Sequence, residues 1–448
     1  RWARYGLTRP DSSAEGRRGL PLGVRRAACQ HVSMSQNARA TLRQIDWLLR
    51  LWEEARAVVA GHQPLDAHLA ALFRTHREFG SRDRRLFSEA LFAGFRWQGA
   101  LDAAGVDDPA TRLALAWLMD EQPATPAMDH LIAALPDAPA RLAALRVLPA
   151  DVLVPPWFRA ALLTPAGADE PAHFERVVRS LQRRPPTWVR ARPGRRDEVL
   201  RRLAEAGGEP FFHPHQRDAI GLGRQVPLEV IHRTSGAAFE VQDVASQSVV
   251  PAGGPRPGET WWDVCAGAGG KTLQLADRLG LHGQLLATDV RTSALEELAR
   301  RLQAARIRMV EIDRFPPHRT TEGLFDGVLV DAPCSGLGTW SRNPDARWRT
   351  PSTWIADKAE VQRRLLDQVA RAVRVGGRLV YAVCTITRTE TTDVVQHFLA
   401  THPDFAPADP PQPWPPGASP GPLLLWPGDG PGDGMFAAVF VRRGTPDT

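Results

Sequence analysis

Two cysteines stand where strand-like runs end: Cys334 in Asp331-Ala332-Pro333-Cys334-Ser335-Gly336 and Cys384 in Tyr381-Ala382-Val383-Cys384-Thr385. A lone cysteine is usually a small buried hydrophobe. Two at the carboxyl edge of one open α/β sheet, where such sheets bind ligands, point instead to thiol chemistry. An aspartate and a loop-forming proline beside Cys334 strengthen that reading. Upstream, another strand-like run leads into Asp263-Val264-Cys265-Ala266-Gly267-Ala268-Gly269-Gly270-Lys271-Thr272 and then a helix, and Asp289 ends the next strand. Small residues let a backbone approach a ligand at a helix N-terminus, and a strand-end carboxylate accepts hydrogen bonds from ribose hydroxyls. The loop has neither the GxGxxG nor the GxxxxGK[ST] spacing, which favours a mononucleotide or S-adenosylmethionine over a dinucleotide or ATP hydrolysis. Cys265 is expected to pack under this loop and to offer mainly its backbone, whereas Cys29 has no such context.

These residues need a sheet to bring them together. Strand-like runs at 261–264, 284–290, 308–312, 328–330 and 378–383 alternate with helical stretches at 271–279, 293–305, 354–374 and 389–400. That alternation predicts a doubly wound α/β sheet. Proline- and glycine-rich loops follow Phe405, then a closing strand at 435–442. From Thr41 to about Leu148 the period is helical, with Leu42, Ile45, Leu48, Leu49 and Trp52 recurring at three- and four-residue steps. Proline clusters near 123–126 and 136–139 punctuate this bundle of about five helices, which ends near Pro155-Pro156-Trp157. Residues 157–250 mix short helices and strands. Ten arginines lie between Arg176 and Arg202 against Asp197 and Glu198, with Pro185-Pro186 and Trp188 among them. A solvated helix face accounts for many of these arginines, but arginine beside a flat aromatic also suits phosphate contact and base stacking.

A length of 448 residues implies about three domains at roughly 150 residues each. With 43% hydrophobic and 24% charged residues, a wholly disordered or fibrous chain is excluded. No apolar run approaches the ~18 residues that span a bilayer. Four cysteines without a CxxC pair argue against a disulfide framework and structural zinc, and lead to the expectation of a reducing, cytoplasmic setting. Of 56 basic residues only Lys271 and Lys358 are lysine, a bias that a GC-rich genome explains. The net charge of +6 is concentrated in residues 1–33, which hold seven arginines against Asp11 and Glu15. Any grip on nucleic acid must therefore come from local patches. Residues 1–33 read as a disordered basic tail without the apolar core of a signal peptide, and a start at Met34 is an equal alternative.

With these motifs the chain resembles the RsmB and wider Nop/Sun family of RNA cytosine-5 methyltransferases, over most of residues 41–442. The marks are the loop at 265–271, Asp-Ala-Pro-Cys-Ser-Gly at 331–336, Arg-Asn-Pro-Asp at 342–345 with Trp348, Val-Cys-Thr at 383–385, Val-Gln-Asp at 241–243 and Asp433-Gly434. Gly267 and Ala268 replace the alanine and proline usual in the family's loop, and Val383 replaces a hydroxyl-bearing residue before the second cysteine.

The resemblance implies a doubly wound Rossmann-like methyltransferase sheet at 251–448. It is preceded by a helical NusB-like domain at 34–155 and a small α+β RNA-binding segment at 156–250. It implies S-adenosylmethionine as cofactor, contacted by Cys265, Ala266, Gly267, Ala268, Gly269, Gly270, Lys271, Asp289, Asp313 and Asp331. Lys271 is suited to the methionine carboxylate or to the base, and for Asp313 capping of its own loop is an equal explanation. Carbon 5 of cytosine is too electron-poor to attack a methyl sulfonium unless a thiolate first adds at carbon 6. The resemblance makes Cys384 that nucleophile, Asp331 the partner of ring nitrogen 3 and Cys334 the residue that completes release. Arg342 and Asn343 are expected in the substrate loop. The implied partner is unpaired or flipped RNA, rRNA first and tRNA as the alternative, with no metal, no membrane and a monomeric chain. From another class, a catalytically silent ribosome-assembly factor is the competing reading.

Overall fold

The computed structural model describes residues 36–135, 137–318, 322–410 and 421–444. The tail at 1–33, with Cys29, and Met34 lie outside the described residues.

The first layer is helical: Gln36–Ala60, Leu65–Thr75, Ser81–Arg96, Gln98–Ala103, Pro109–Met119, Pro126–Ala133 and Ala138–Arg146. Two prolines open helices here. Pro109 follows Asp108, whose carboxylate accepts from Thr111 N at 2.9 Å, and Pro126 follows Thr125, whose hydroxyl accepts from Met128 N at 3.3 Å. Proline at the first helical position loses only an N–H that has no intrahelical partner. Ile45, Leu48 and Trp52 face the core as the period predicts, whereas Leu42 is 41% exposed because it lies at the start of the helix, before the stripe is covered.

Helix Glu170–Leu181 belongs to the same packing. Its Phe174, Val177, Val178 and Leu181 share one core with Leu101 and Leu115 of the helical layer and with Leu337, Trp340, Ile386 and Trp426 of the following α/β unit. A four-stranded antiparallel sheet comes next, formed by β1 (Thr187–Ala191), β2 (Pro210–Phe212), β3 (Ala219–Leu222) and β4 (Phe239–Val241) in the order β2-β3-β1-β4.

The third part is the expected α/β sheet: β5 (Thr260–Asp263), β6 (Gln284–Asp289), β7 (Val310–Arg314), β8 (Phe325–Asp331), β9 (Val373–Val383), β10 (Phe405–Ala408), β11 (Leu423–Leu425) and β12 (Met435–Arg442). The order is β10-β12-β9-β8-β5-β6-β7, with β11 paired to β12. Strands β9, β8, β5, β6 and β7 are parallel, and β12 joins β9 antiparallel. The chain starts this sheet in the middle, winds outward through β6 and β7, and returns to the other side of β5 with β8. The winding therefore reverses between β5 and β8, and a crevice opens beyond their carboxyl ends. Asp263 ends β5 and Asp331 ends β8. Cys334 and Cys384 follow β8 and β9 at the same edge. Val328, Leu329 and Val330 are fully buried, as strands covered by helices on both faces should be.

Candidate active site

The turn after β5 depends on glycine. Gly269 has φ +93°, and a Cβ there would lie 2.3 Å from Leu298 Cδ1, so the backbone can reach this close only without a side chain. The turn opens helix Gly270–Leu279. Its Ala266 N–H donates to Thr288 O at 2.8 Å, and its Gly267 N–H donates to Asp289 Oδ2 at 2.9 Å.

A cavity of about 670 Å³ opens here, lined by Asp263 through Ala268, Gly270, Lys271, Asp289 and Asp331 together with Arg291, Phe315 and Lys358. The structure thus gathers most of the sequence-predicted cofactor residues around one space. Asp313 is not in that lining. Its carboxylate accepts from Arg314 N at 2.7 Å and His318 N at 3.0 Å, the loop-capping arrangement.

Three carboxylates at the cavity differ in their electrostatics. Asp289 accepts from the Arg291 backbone at 2.9 Å and from its guanidinium at 3.0 Å. Burial would raise its pKa, but these hydrogen bonds and the Gly267 N–H outweigh it and hold the carboxyl below the ordinary carboxylate range. Asp331 accepts from Lys271 Nζ at 2.6 Å. Lys271 is buried, yet Asp331 and the nearby Cys384 and Asp263 more than offset desolvation, so its ammonium is held above the ordinary lysine range. Asp263 is fully buried; Thr272 Oγ1 donates to its Oδ2 at 2.7 Å, while its Oδ1 has no partner among the described residues. Burial pushes this carboxyl up to about 7, and the charges of Asp331 and Asp289 add to the shift.

The two expected thiols are neighbours: Cys334 Sγ and Cys384 Sγ lie 3.3 Å apart. The hydrogen bond between them, then burial and the Cys384 charge, push Cys334 well above the ordinary thiol range. Cys265 is pushed up too, chiefly by burial and then by Asp263, which leaves its backbone as the contribution to the turn. Val383 is fully buried beneath the site, and hydroxyls come instead from Thr385 and Ser335, 3.0 Å apart.

Other expectations are redrawn. Arg342 does not reach into the cavity; its guanidinium donates to Asp243 Oδ2 at 2.8 Å and Asp433 Oδ2 at 3.2 Å. Three of the sequence marks thereby become one buried ion cluster, in which burial and Asp243 push Asp433 up to about 7. Asn343 packs within its own turn, its backbone N–H donating to Thr339 O at 2.9 Å. Trp188 is buried, with its Nε1–H donating to Pro431 O at 3.0 Å, so it is a core residue and cannot stack on a base. Arg190 and Arg192 share Asp277, and Arg176, Arg179, Arg184, Arg195, Arg201 and Arg202 also have acidic partners. Much of the arginine run therefore joins parts of the chain to one another. Sequence reasoning assigned no role to Asp263, Arg291 or Glu390. Asp263 was visible at the end of β5, but its missing partner becomes apparent only in three dimensions.

A doubly wound sheet with a glycine turn at its reversal point and a carboxylate ending the second strand is the architecture of methyltransferases. Solved structures with this fold include the protein PH0851, at TM-score 0.69 and 24% identity over 87% of this chain and 98% of that one. Another is NSun6 from Pyrococcus horikoshii with SFG, at TM-score 0.53 and 15% identity over 62% and 96%. Residues 252–441 match the family described as 16S rRNA methyltransferase RsmB/F. The Ribosomal RNA small subunit methyltransferase B of Klebsiella pneumoniae is 33% identical over 282 residues, 61% of this chain. The matched region spans 63% of that relative's length. Among the described residues no helix is long and apolar enough to cross a membrane, and no cluster of three His, Cys, Asp or Glu forms a metal site.

Proposed function

We propose that this protein is an S-adenosylmethionine-dependent RNA cytosine-5 methyltransferase acting on small-subunit ribosomal RNA through a covalent cysteine–cytosine intermediate. The observation that carries the proposal is the pair of thiols 3.3 Å apart at the sheet edge that also bears the Lys271–Asp331 pair. The names of the matched family and of the Klebsiella relative support ribosomal RNA as substrate.

The cavity suits the cofactor. Asp289 ends β6 where a ribose binds, the Gly269 turn admits close backbone approach, and the unpartnered Asp263 oxygen suits the α-ammonium of a methionine. S-adenosylmethionine supplies an electrophilic methyl group. The Cys384 thiolate, beside the Lys271 ammonium, adds to carbon 6 and moves electron density onto carbon 5. As Cys384 adds, Asp331 relays a proton from the Lys271 ammonium to ring nitrogen 3, and that proton returns through Asp331 to Lys271 when the product ring re-forms. Once the methyl group is on carbon 5, the proton there leaves, the carbon 5–carbon 6 double bond re-forms and the Cys384 sulfur departs. Cys334 is the base that takes this proton. Before addition it is kept protonated mainly by its hydrogen bond to Cys384, then by burial and the Cys384 charge. Addition consumes that charge in the new S–C bond. The Cys334 thiol then gives its proton to solvent, the one proton that methylation releases overall, and its thiolate takes the carbon 5 proton. Cys334 thus becomes a base only after Cys384 has reacted. The order of the two steps follows from the pairing of the thiols.

The deciding experiment is bisulfite sequencing of total RNA from a deletion strain beside the wild type. One ribosomal cytosine losing its methylation in the deletion strain supports the reading; an unchanged rRNA methylation map refutes it. Asp289→Ala is expected to weaken S-adenosylmethionine binding by ~1–3 kcal/mol, read by calorimetry, because a ribose donor loses its buried acceptor. Unchanged affinity would move the cofactor away from β6.

A further inference from the structure

We propose that Glu390 is the positioning residue of the thiol pair: its buried carboxylate ties the loop bearing Cys334 to the loop bearing Cys384 and keeps the negative charge of the pair on Cys384. The consequence for methylation rests on the covalent reading above, but the thiol chemistry itself does not.

Glu390 is fully buried, and no arginine, lysine or histidine forms an ion pair with it among the described residues. A carboxylate in that position is costly unless its lone pairs are occupied. Neutral donors from both loops occupy them. Ser335 N–H donates to Oε1 at 2.8 Å, and the Ser335 hydroxyl donates to Oε2. Thr387 Oγ1 donates to Oε2 at 3.0 Å and Thr385 Oγ1 at 3.3 Å. Gln362 Nε2 donates to Oε1 at 3.1 Å and also to Pro333 O at 3.0 Å, while the Tyr381 hydroxyl lies 2.9 Å from Gln362 Oε1. Both neighbours of Cys334 and two residues just after Cys384 thus converge, directly or through Gln362, on one carboxylate.

A neutral acceptor could serve the same hydrogen bonds. What the carboxylate adds is charge next to Cys334. The ionisable groups around the pair are Lys271 from helix Gly270–Leu279, Asp331 from the end of β8, Tyr381 from β9 and Glu390 itself, with Arg363 beyond Tyr381. Lys271 is held charged in part by Cys384, so the cation lies on that side, whereas Glu390 adds to the upward push on Cys334. Cys334 is thereby held in its thiol form beside Cys384, on the side away from the ammonium.

The test is Glu390→Gln in the full-length protein. The three hydroxyls at Oε2 can rotate to accept from the new amide, so the network is retained while the charge is lost. Trace alkylation with iodoacetamide between pH 6 and 12, read by mass spectrometry at each cysteine without RNA, gives a separate midpoint for each thiol. In the wild type Cys334 is expected to react only at a pH above the ordinary thiol range. In Glu390→Gln the Cys334 midpoint is expected to fall by about one unit, a tenfold gain in thiolate at a given pH. Methylation is expected to fall at least tenfold with S-adenosylmethionine affinity unchanged. An unchanged Cys334 midpoint with methylation within twofold of the wild type overturns the proposal. Should Glu390→Gln fail to fold, the wild-type midpoints still decide, because Cys334 ionising below Cys384 also overturns it. Failure of the covalent reading looks different: the wild type then forms no 5-methylcytosine, and the two midpoints remain readable.

Discussion

Cys384→Ala reduces RNA methylation to background and forms no protein–RNA adduct, whereas Cys334→Ala accumulates an adduct that survives denaturing electrophoresis. This is the expected result of the order of bonds made and broken. The sulfur–carbon 6 bond forms before methyl transfer and breaks only after carbon 5 loses its proton, so removing the attacking thiol leaves nothing to trap. Removing the base leaves addition and methyl transfer intact and blocks the exit. The 3.3 Å separation of the two sulfurs makes the test clean, since a base bonded to one lies beside the other. The opposite pattern, with an adduct from Cys384→Ala and none from Cys334→Ala, would exchange the two roles. Normal methylation by both variants would remove covalent catalysis altogether.

Asp263→Asn is expected to stabilise the cofactor-free protein at pH 8 while weakening S-adenosylmethionine binding. Burial raises the Asp263 carboxyl from 3.8 to about 7, so the native state holds a proton that the unfolded chain has already released. Between these values stability falls as pH rises, and above about 7 the protein carries the full cost of a buried anion. At 1.36 kcal/mol per unit the isosteric amide recovers on the order of 2–4 kcal/mol at pH 8 and nothing below pH ~4. Its oxygen can still accept from Thr272, which keeps the hydrogen bond present in the wild type. On the proposed placement of the cofactor, the same substitution removes the charged acceptor for its ammonium, and hydrogen bonds to charged groups are worth ~1.5–3 kcal/mol. Denaturant melts at pH 4 and 8, with calorimetry of the cofactor, measure both signs. A variant no more stable than the wild type at pH 8 would mean that Asp263 already has a partner.

The chemistry was more legible in the sequence than its scaffolding. Cys334, Cys384, Asp331 and the 265–271 turn could be read because strand ends and helix starts leave local signatures, and the parallel sheet brings such ends to one edge. β10 and β11 were read as loop. Phe405-Ala406-Pro407-Ala408 forms an edge strand, the position in a sheet that tolerates proline, and β11 has only three residues. Trp188 was misleading for the opposite reason. Its arginine neighbours suggested an exposed aromatic, but its place opposite Gly221 in the β1–β3 ladder turns the ring inward against Phe211 and Val244. Glu390 has no readable pattern in the sequence, because its ligands lie as far away as Ser335, 55 residues back along the chain. The same holds for Arg342, whose two carboxylate partners are 99 and 91 residues distant.

The segment that follows the Cys334 loop also holds the helical layer. Asp345 accepts from Leu65 N at 3.2 Å, and Trp348 Nε1 donates to Phe95 O at 2.7 Å. The fully buried Arg347 donates to Leu153 O at 2.8 Å and Leu181 O at 3.2 Å. One short stretch of chain thus both follows the loop that bears Cys334 and anchors the helical layer. Loss of that anchor would strand a guanidinium and several carbonyls in an apolar interface. The helical layer and the sheet are therefore coupled in folding: local opening at this seam is suppressed, and the two parts share a single cooperative free energy rather than two separate ones.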